Sequence, residues 1–114
     1  MVVWTPRARA DLKDIYDYVA KGSRQNAQRV AREILTKANI LAESPHLGRQ
    51  VPKVNDPELR EMPAYSWRII YHLRNGVVYI VALIHKRRQP ATEDLLPPTI
   101  HEPREVYGGS VAAE

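Results

Sequence analysis

The chain lacks several features on which common protein functions depend. It has no cysteine among its 114 residues, which excludes disulfide bonds, a thiolate nucleophile and a cysteine-bound metal. Its longest apolar run, residues 77–84, is too short to cross a bilayer, and residues 1–12 contain no apolar core of a signal peptide. The four histidines are scattered, and there is no glycine-rich phosphate loop. These absences predict a cytoplasmic protein with no metal, no cofactor and no contact with a membrane.

Acidic residues are unevenly distributed along the chain. Residues 62–92 contain five Lys/Arg and no Asp or Glu. Residues 1–92 hold 16 Lys/Arg against 8 Asp/Glu, a net charge of +8, whereas residues 93–114 hold one Arg against five acids, a net charge of −4. A basic body of this kind attracts polyanions or acidic protein surfaces, although charge that serves only solubility explains the excess equally well.

The division of charge accompanies a change in composition. Residues 89–114 contain four prolines and two adjacent glycines, and they show neither a helical nor a strand period. We therefore predict one domain over residues 1–92 and a Pro-rich acidic tail, extended or disordered, over residues 93–114.

The first half of the domain has the pattern of a strand followed by two helices. Residues 2–4 are a candidate strand, and Thr5–Pro6 is typical of a helix N-terminus. Apolar residues then recur at helical spacing up to Gly22, and Ser23 can begin a second helix that ends at Ser44–Pro45. Because the link between them is short, we expect the helices to form an antiparallel hairpin.

A β-hairpin is predicted around Asn75–Gly76, since this pair supplies the positive φ angles of a two-residue turn. With that turn, Arg68 faces Leu83, and Arg68 and His85 become diagonal neighbours on one face. The other face is wholly apolar, which makes it the expected bed for the helices. The apolar face carries Ile69, Tyr71, Leu73, Val78, Ile80, Ala82 and Ile84. The opposite face carries Arg68, Ile70, His72, Tyr79, Val81, Leu83, His85 and Arg87.

These elements, with a short strand predicted at residues 59–62, indicate an α+β fold. We expect an N-terminal strand and an antiparallel two-helix hairpin packed on one face of a small antiparallel β-sheet.

The basic residues near the end of the hairpin are the candidate functional groups. Cleavage of RNA needs a general base for the 2′-hydroxyl, an acid for the leaving oxygen and cations for the charge on phosphorus. His85 could act as the acid or base, and Arg68, Arg87 and Arg49 could supply the cations. The alternative is that Arg68 faces solvent on its strand and that His85 only ends a strand.

Five phrases of the sequence resemble the RelE/ParE superfamily of toxins from type II toxin–antitoxin systems. These phrases are "ARADLKDIYDYVA" (8–20), "SPHLGRQVP" (44–52), "LRE" (59–61), "WRIIYHL" (67–73) and "IHKRR" (84–88). They occur in the order of the superfamily and cover about 90 residues, without the tail. The resemblance implies the same α+β fold that the sequence pattern predicts.

The resemblance also implies a function, which differs between branches of the superfamily. RelE-like members cut mRNA on the ribosome with basic residues and often a Tyr or His near the end of the last strand, whereas ParE-like members act on DNA gyrase and generally lack that set. Here no tyrosine closely follows His85, and Lys53 is the only lysine between the second helix and "LRE". The resemblance therefore favours a ParE-like toxin that binds and inhibits DNA gyrase and is not an enzyme.

Two alternatives stay open. One is a RelE-like, ribosome-dependent mRNA endoribonuclease with His85 as acid or base and with Arg49, Arg68 and Arg87 on the phosphate. The other is a superfamily member without either activity that binds a partner only.

Partners are also implied by the resemblance. We expect a cognate antitoxin whose acidic segment neutralises the basic body, and contact with operator DNA only through that antitoxin. The residues expected to contact the target or the antitoxin are Arg49, Arg60, Arg68, His85, Lys86, Arg87 and Arg88.

Overall fold

A computed structural model describes residues 1–90 of the chain. Over this range the elements are β1 (Val2–Trp4), α1 (Pro6–Ala20), α2 (Arg24–Glu43), β2 (Arg49–Gln50), β3 (Leu59–Ala64), β4 (Trp67–Arg74) and β5 (Val77–His85). The predicted tail and its boundary at residue 92 lie outside the described residues, and both stay predictions.

The two helices begin where the sequence predicts. Oγ1 of Thr5 accepts a hydrogen bond from the Ala8 N–H at 3.2 Å, and Oγ of Ser23 accepts one from the Asn26 N–H at 3.1 Å. Each side chain thus provides a partner for an N–H group that has none within its own helix. The short link between the helices folds α2 back against α1, and both helices pack on the sheet.

The strands form one sheet in the order β1-β5-β4-β3-β2. Neighbours from β2 to β5 are antiparallel, whereas β1 runs parallel to β5. The predicted α+β architecture is confirmed, with the correction that the sheet is mixed, because the meander of β3, β4 and β5 leaves β5 running in the direction of β1. The core between helices and sheet includes Ile15, Ile34, Leu41, Ile69, Tyr71 and Ile80.

The register of the β4–β5 hairpin changes at Val81. From the turn at residues 75–76 the predicted pairs hold as far as Ile80, after which Ile70 pairs with Ala82. Val81 is therefore an extra residue in β5, which is a β-bulge. Because side chains alternate between faces, one extra residue moves every later side chain of β5 to the other face.

The bulge corrects the predicted faces of the hairpin. Leu83 lies under the helices, whereas Ala82 and Ile84 lie on the opposite side of the sheet, which we call the outer face. The outer face carries an apolar cluster of its own. The cluster comprises Val51, Leu59, Ile70, Val81, Ala82 and Ile84, with Val54 and Tyr79 packed against it.

Thr5 and Asp11, near the start of the chain, form hydrogen bonds with the backbone of β5 near the bulge. The Thr5 N–H and its Oγ1–H both donate to the Ile80 carbonyl oxygen, at 3.1 and 2.9 Å. Farther along the strand, Oδ2 of Asp11 accepts a hydrogen bond from the Leu83 N–H at 3.0 Å. These bonds provide partners for backbone groups of β5 beyond the end of β1.

A buried tyrosine fixes the loop before β2. Oη of Tyr71 donates to the Pro45 carbonyl oxygen at 2.8 Å and accepts from the Gly48 N–H at 2.9 Å. A Cβ atom on residue 48 would lie 2.5 Å from that Oη and 2.6 Å from the Glu61 carbonyl oxygen, so this position requires glycine. These contacts hold Arg49, the next residue, at the edge of β3.

The hairpin turn supplies a test of the register. Asn75 and Gly76 have φ angles of 50° and 78°, and no heavy atom of the described residues lies within 4 Å of a Cβ built on Gly76. A side chain at residue 76 therefore meets no steric clash, and its cost is the strain of a positive φ angle. Gly76→Val should lower the free energy of unfolding by about 1–3 kcal/mol in urea denaturation. Gly76→Asn is the control, since asparagine tolerates positive φ and should cost less. Equal stability of wild type and the valine variant would contradict the turn.

The ionisation of Tyr71 provides a second test, which concerns the stability of the protein at alkaline pH. Burial raises the pKa of its hydroxyl, against the opposing effects of the Gly48 N–H and the Arg60 charge. The folded state therefore keeps this proton above pH 10.0, the ordinary tyrosine value, at which the unfolded chain releases it. The stabilisation from this group is fully present below the pKa of Tyr71 in the unfolded chain. It is lost as the pH rises through the pKa of Tyr71 in the folded protein.

We therefore expect wild type to lose more unfolding free energy between about pH 9 and about pH 11 than Tyr71→Phe does. At neutral pH the variant should be less stable by about 1–3 kcal/mol, because the Gly48 N–H loses its partner. The measurement is urea denaturation across that pH range. Parallel alkaline losses in the two proteins would show that the hydroxyl is not linked to folding.

Candidate functional site

The candidate residues other than Arg60 lie around one end of the sheet. There the β3–β4 turn meets the segment that follows β5, and the Lys86 N–H donates to the Ser66 carbonyl oxygen at 2.8 Å. We call His85–Arg88 the basic turn. All four of its residues are exposed, and Glu61 is the only acid between residues 59 and 92.

A buried carboxylate lies next to this end of the sheet. Glu61, on β3, is only 2% exposed. Its Oε2 accepts a hydrogen bond from Nε of Arg49 at 2.7 Å, and its Oε1 accepts one from Nη1 of Arg68 at 3.1 Å. A buried carboxylate is unstable without such partners, so the two arginines compensate its charge.

Arg68 has a second function in this arrangement. Its Nη2 donates to the Arg88 carbonyl oxygen while its Nη1 pairs with Glu61. The Arg68 side chain is 16% exposed, whereas that of Arg49 is 69% exposed. Arg68 is therefore part of the framework that joins the sheet to the basic turn, and it is not the solvent-facing strand residue that the sequence allowed.

His85 and Arg68 are not neighbours on one face, contrary to the prediction. The bulge at Val81 shifts the register so that His85 pairs with Trp67 and Arg68 pairs with Ile84. The imidazole meets the Trp67 indole edge to face, with ring centroids 6.0 Å apart and planes at 78°. Alternation then puts His85 on the helix side and Arg68 on the outer face.

Two more hydrogen bonds fold the basic turn on itself. The Arg88 N–H donates to the His85 carbonyl oxygen at 3.0 Å, and the Arg87 N–H donates to Nδ1 of His85 at 3.2 Å. Since Nδ1 accepts this bond, a neutral His85 carries its proton on Nε2. The exposed Nε2 edge of the ring is therefore a hydrogen-bond donor.

Arg60 stands apart from the other candidates. It pairs in register with Tyr71, and alternation along β3 therefore places it on the helix side. Its Nη1 donates to the Gly48 carbonyl oxygen at 2.8 Å, on the loop that Tyr71 also holds. Arg60 thus supports the loop before β2, and the structure does not bring it into the group around Glu61.

The sequence interpretation missed Glu61, although a signal was present. Glu61 is the last acid before the basic stretch from residue 62 to residue 92, and it shares a face of the predicted strand with apolar Leu59. An acid at a strand position that shares a face with a buried residue needs a cationic partner.

Other ionisable clusters are sparse among residues 1–90. Nε2 of the buried His72 lies 3.5 Å from Oδ2 of Asp56, and its Nδ1 has no hydrogen-bond partner within the described part of the chain. In the same range no three His, Asp or Glu side chains are grouped so as to hold a metal ion. No helix there is both long and apolar enough to span a membrane.

Comparison with known proteins identifies the family. The family model described as "ParE toxin of type II toxin-antitoxin system, parDE" matches residues 2–90. The chain belongs to the ParE toxin family. The predicted membership of the RelE/ParE superfamily is thereby confirmed, and a toxin of a type II system has an antitoxin as its partner.

Two known proteins place this ParE-family toxin among its relatives. The protein named Toxin RelE2 from Caulobacter vibrioides is 42% identical over 87 residues, which is 76% of this chain and 96% of the relative. The solved structure titled "Chromosomal ParDE TA system from P. aeruginosa" contains a chain with a TM-score of 0.62 and 22% identity, covering 74% of this chain and 92% of that one. The second likeness supports the fold, two helices on a five-stranded sheet.

The two partners of Glu61 should differ in their effect on stability. Glu61→Ala leaves the largely buried Arg68 without its carboxylate and should lower the free energy of unfolding by about 3–5 kcal/mol. Arg49→Ala removes a mostly exposed partner and should cost about 1 kcal/mol or less. Urea denaturation of both variants at one pH measures the difference. Similar losses from the two changes would show that Glu61 is not buried as described.

Proposed function

We propose that this toxin inhibits DNA gyrase by binding it, in the cytoplasm, and that the basic turn is the main contact surface. The proposal treats the chain as a binding protein and not as an mRNA endoribonuclease. The observation that carries it is the hydrogen bond from the Arg87 N–H to Nδ1 of His85.

That bond opposes a role for His85 as a general base. A general base that takes the proton from a 2′-hydroxyl needs a free lone pair on an accessible nitrogen. With Nδ1 accepting from the Arg87 N–H, the neutral ring carries a proton on its other nitrogen, Nε2. The exposed edge of His85 is then suited to donating a hydrogen bond to a partner and unsuited to accepting a proton.

The arginines also fit binding better than phosphoryl chemistry. Arg49 and Arg68 already share the Glu61 carboxylate, so a phosphate on the outer face would compete with a buried anion for the same donors. Arg68 also lies on the face opposite His85. His85 and Arg68 are thus not directed at one reacting phosphorus, as the alternative mechanism would need.

The exposed positive charge of the basic turn fits recognition of a partner. Lys86 and Arg87 are exposed, and the chain from residue 62 to residue 92 contains no acid. Charge of this kind steers and orients association with an acidic surface. We expect an acidic antitoxin segment to compete for the same surface, and operator DNA to be reached only through the antitoxin.

The test compares gyrase with translation. Purified toxin should inhibit DNA supercoiling by purified gyrase, and it should leave an mRNA intact in a ribosome-programmed translation mixture. The Lys86→Ala/Arg87→Ala double variant should need at least about tenfold more protein for half-inhibition. The matched control is Arg29→Ala/Arg32→Ala, which removes the same charge from exposed positions of α2 and should inhibit like wild type.

The opposite outcome is equally specific. Transcript cleavage on the ribosome with unaffected supercoiling would assign the toxin to the RelE-like nucleases. His85→Ala should then abolish the cleavage.

A further inference from the structure

The arrangement of Glu61 and Arg68 has a consequence for the contact surface, given the proposed function. Arg68 uses one terminal nitrogen on the Glu61 carboxylate and the other on the Arg88 carbonyl oxygen. The guanidinium is a rigid planar fork, so fixing one arm fixes the direction of the other. The orientation of the carbonyl at Arg88 is therefore set by a carboxylate that is buried within the sheet.

Within residues 1–90, the backbone N–H groups of the basic turn that follow β5 have identified partners. The Lys86 N–H is bonded to the β3–β4 turn, and the Arg87 and Arg88 N–H groups are bonded within the turn to His85. The Arg68 fork holds the far end of the same four residues. Without it, the end of the turn at residue 88 would lose a direct hydrogen bond to the sheet, and the exposed side chains at residues 86 and 87 would sample more orientations.

We propose that Glu61 and Arg68 are positioning residues, which act on the partner only by holding the basic turn in the orientation that presents Lys86 and Arg87. Arg68 itself contacts no partner in this arrangement. Its charge is compensated by Glu61, and its side chain is 16% exposed. The role differs from the phosphate-binding function that the sequence allowed for this arginine.

The decisive variant is Arg68→Lys. Lysine keeps the positive charge beside Glu61, yet a single ammonium on a flexible stem lacks the fork that spans the carboxylate and the Arg88 carbonyl oxygen. Amide hydrogen exchange of the folded protein should then show the N–H groups of Arg87 and Arg88 exchanging at least about tenfold faster than in wild type. Core amides such as those of Ile69 and Ile80 should keep their rates.

Arg49→Lys is the matched control. Arg49 pairs with the same carboxylate through Nε, and in the described structure it makes no bond to the basic turn. The control should leave exchange in residues 86–88 unchanged. Acceleration in both variants, or in neither, would overturn the positioning role.

A double-mutant cycle separates positioning from direct contact. Arg68→Lys alone should raise the toxin concentration for half-inhibition of gyrase by about three- to tenfold. In the Lys86→Ala/Arg87→Ala background the same change should add almost nothing, because there is no longer a charged side chain to position. Additive effects would show that Arg68 touches the partner itself, and would overturn the proposal.

The exchange measurement is independent of the target. If wild-type toxin leaves gyrase active, the proposed function fails, while faster exchange in Arg68→Lys and not in Arg49→Lys still supports the link between Glu61 and the turn. If gyrase is inhibited and the exchange rates do not change, the proposed function stands and the positioning role fails.

Discussion

The single extra residue in β5 decides how the rest of the molecule is arranged. Up to Val81 the last hairpin follows a regular alternation, and beyond it every side chain is on the other face. Leu83 is thereby buried under the helices, while Arg68 and His85 are separated by the thickness of the sheet. Without the bulge the same sequence would make the imidazole and the guanidinium diagonal neighbours on one face of the sheet.

The second organising feature is an anion in a basic region. A carboxylate that is 2% exposed would be costly alone, and it is tolerated because guanidinium groups from two strands, β2 and β4, converge on it. The Glu61 carboxylate with its two arginines fixes the geometry of these side chains more than it stabilises the fold. The same Arg68 that pairs with this carboxylate also donates to the Arg88 carbonyl oxygen, in the turn that follows β5.

The sequence predicts most of the fold because most of its signals are local. Thr5 and Ser23 cap the helices where their side-chain chemistry indicates, and Asn75–Gly76 makes the expected turn. The bulge is harder to predict, because it lies where Thr5 and Asp11 bond to β5 from the far end of the chain. The same is true of the site, since no pattern in β3 alone reveals that Glu61 is enclosed by arginines from two other strands.

The pairing of the first strand with the last has a consequence for the order of events during synthesis. β1 has no partner until β5 exists, because Val2 pairs with Val78 and the Thr5 hydroxyl bonds to Ile80, 75 residues later. The helices can form early from local contacts, but their sheet face cannot be completed while the hairpin is still being translated. A nascent toxin therefore lacks its basic turn until nearly the whole domain has been made, and a chain truncated before β5 cannot complete the sheet.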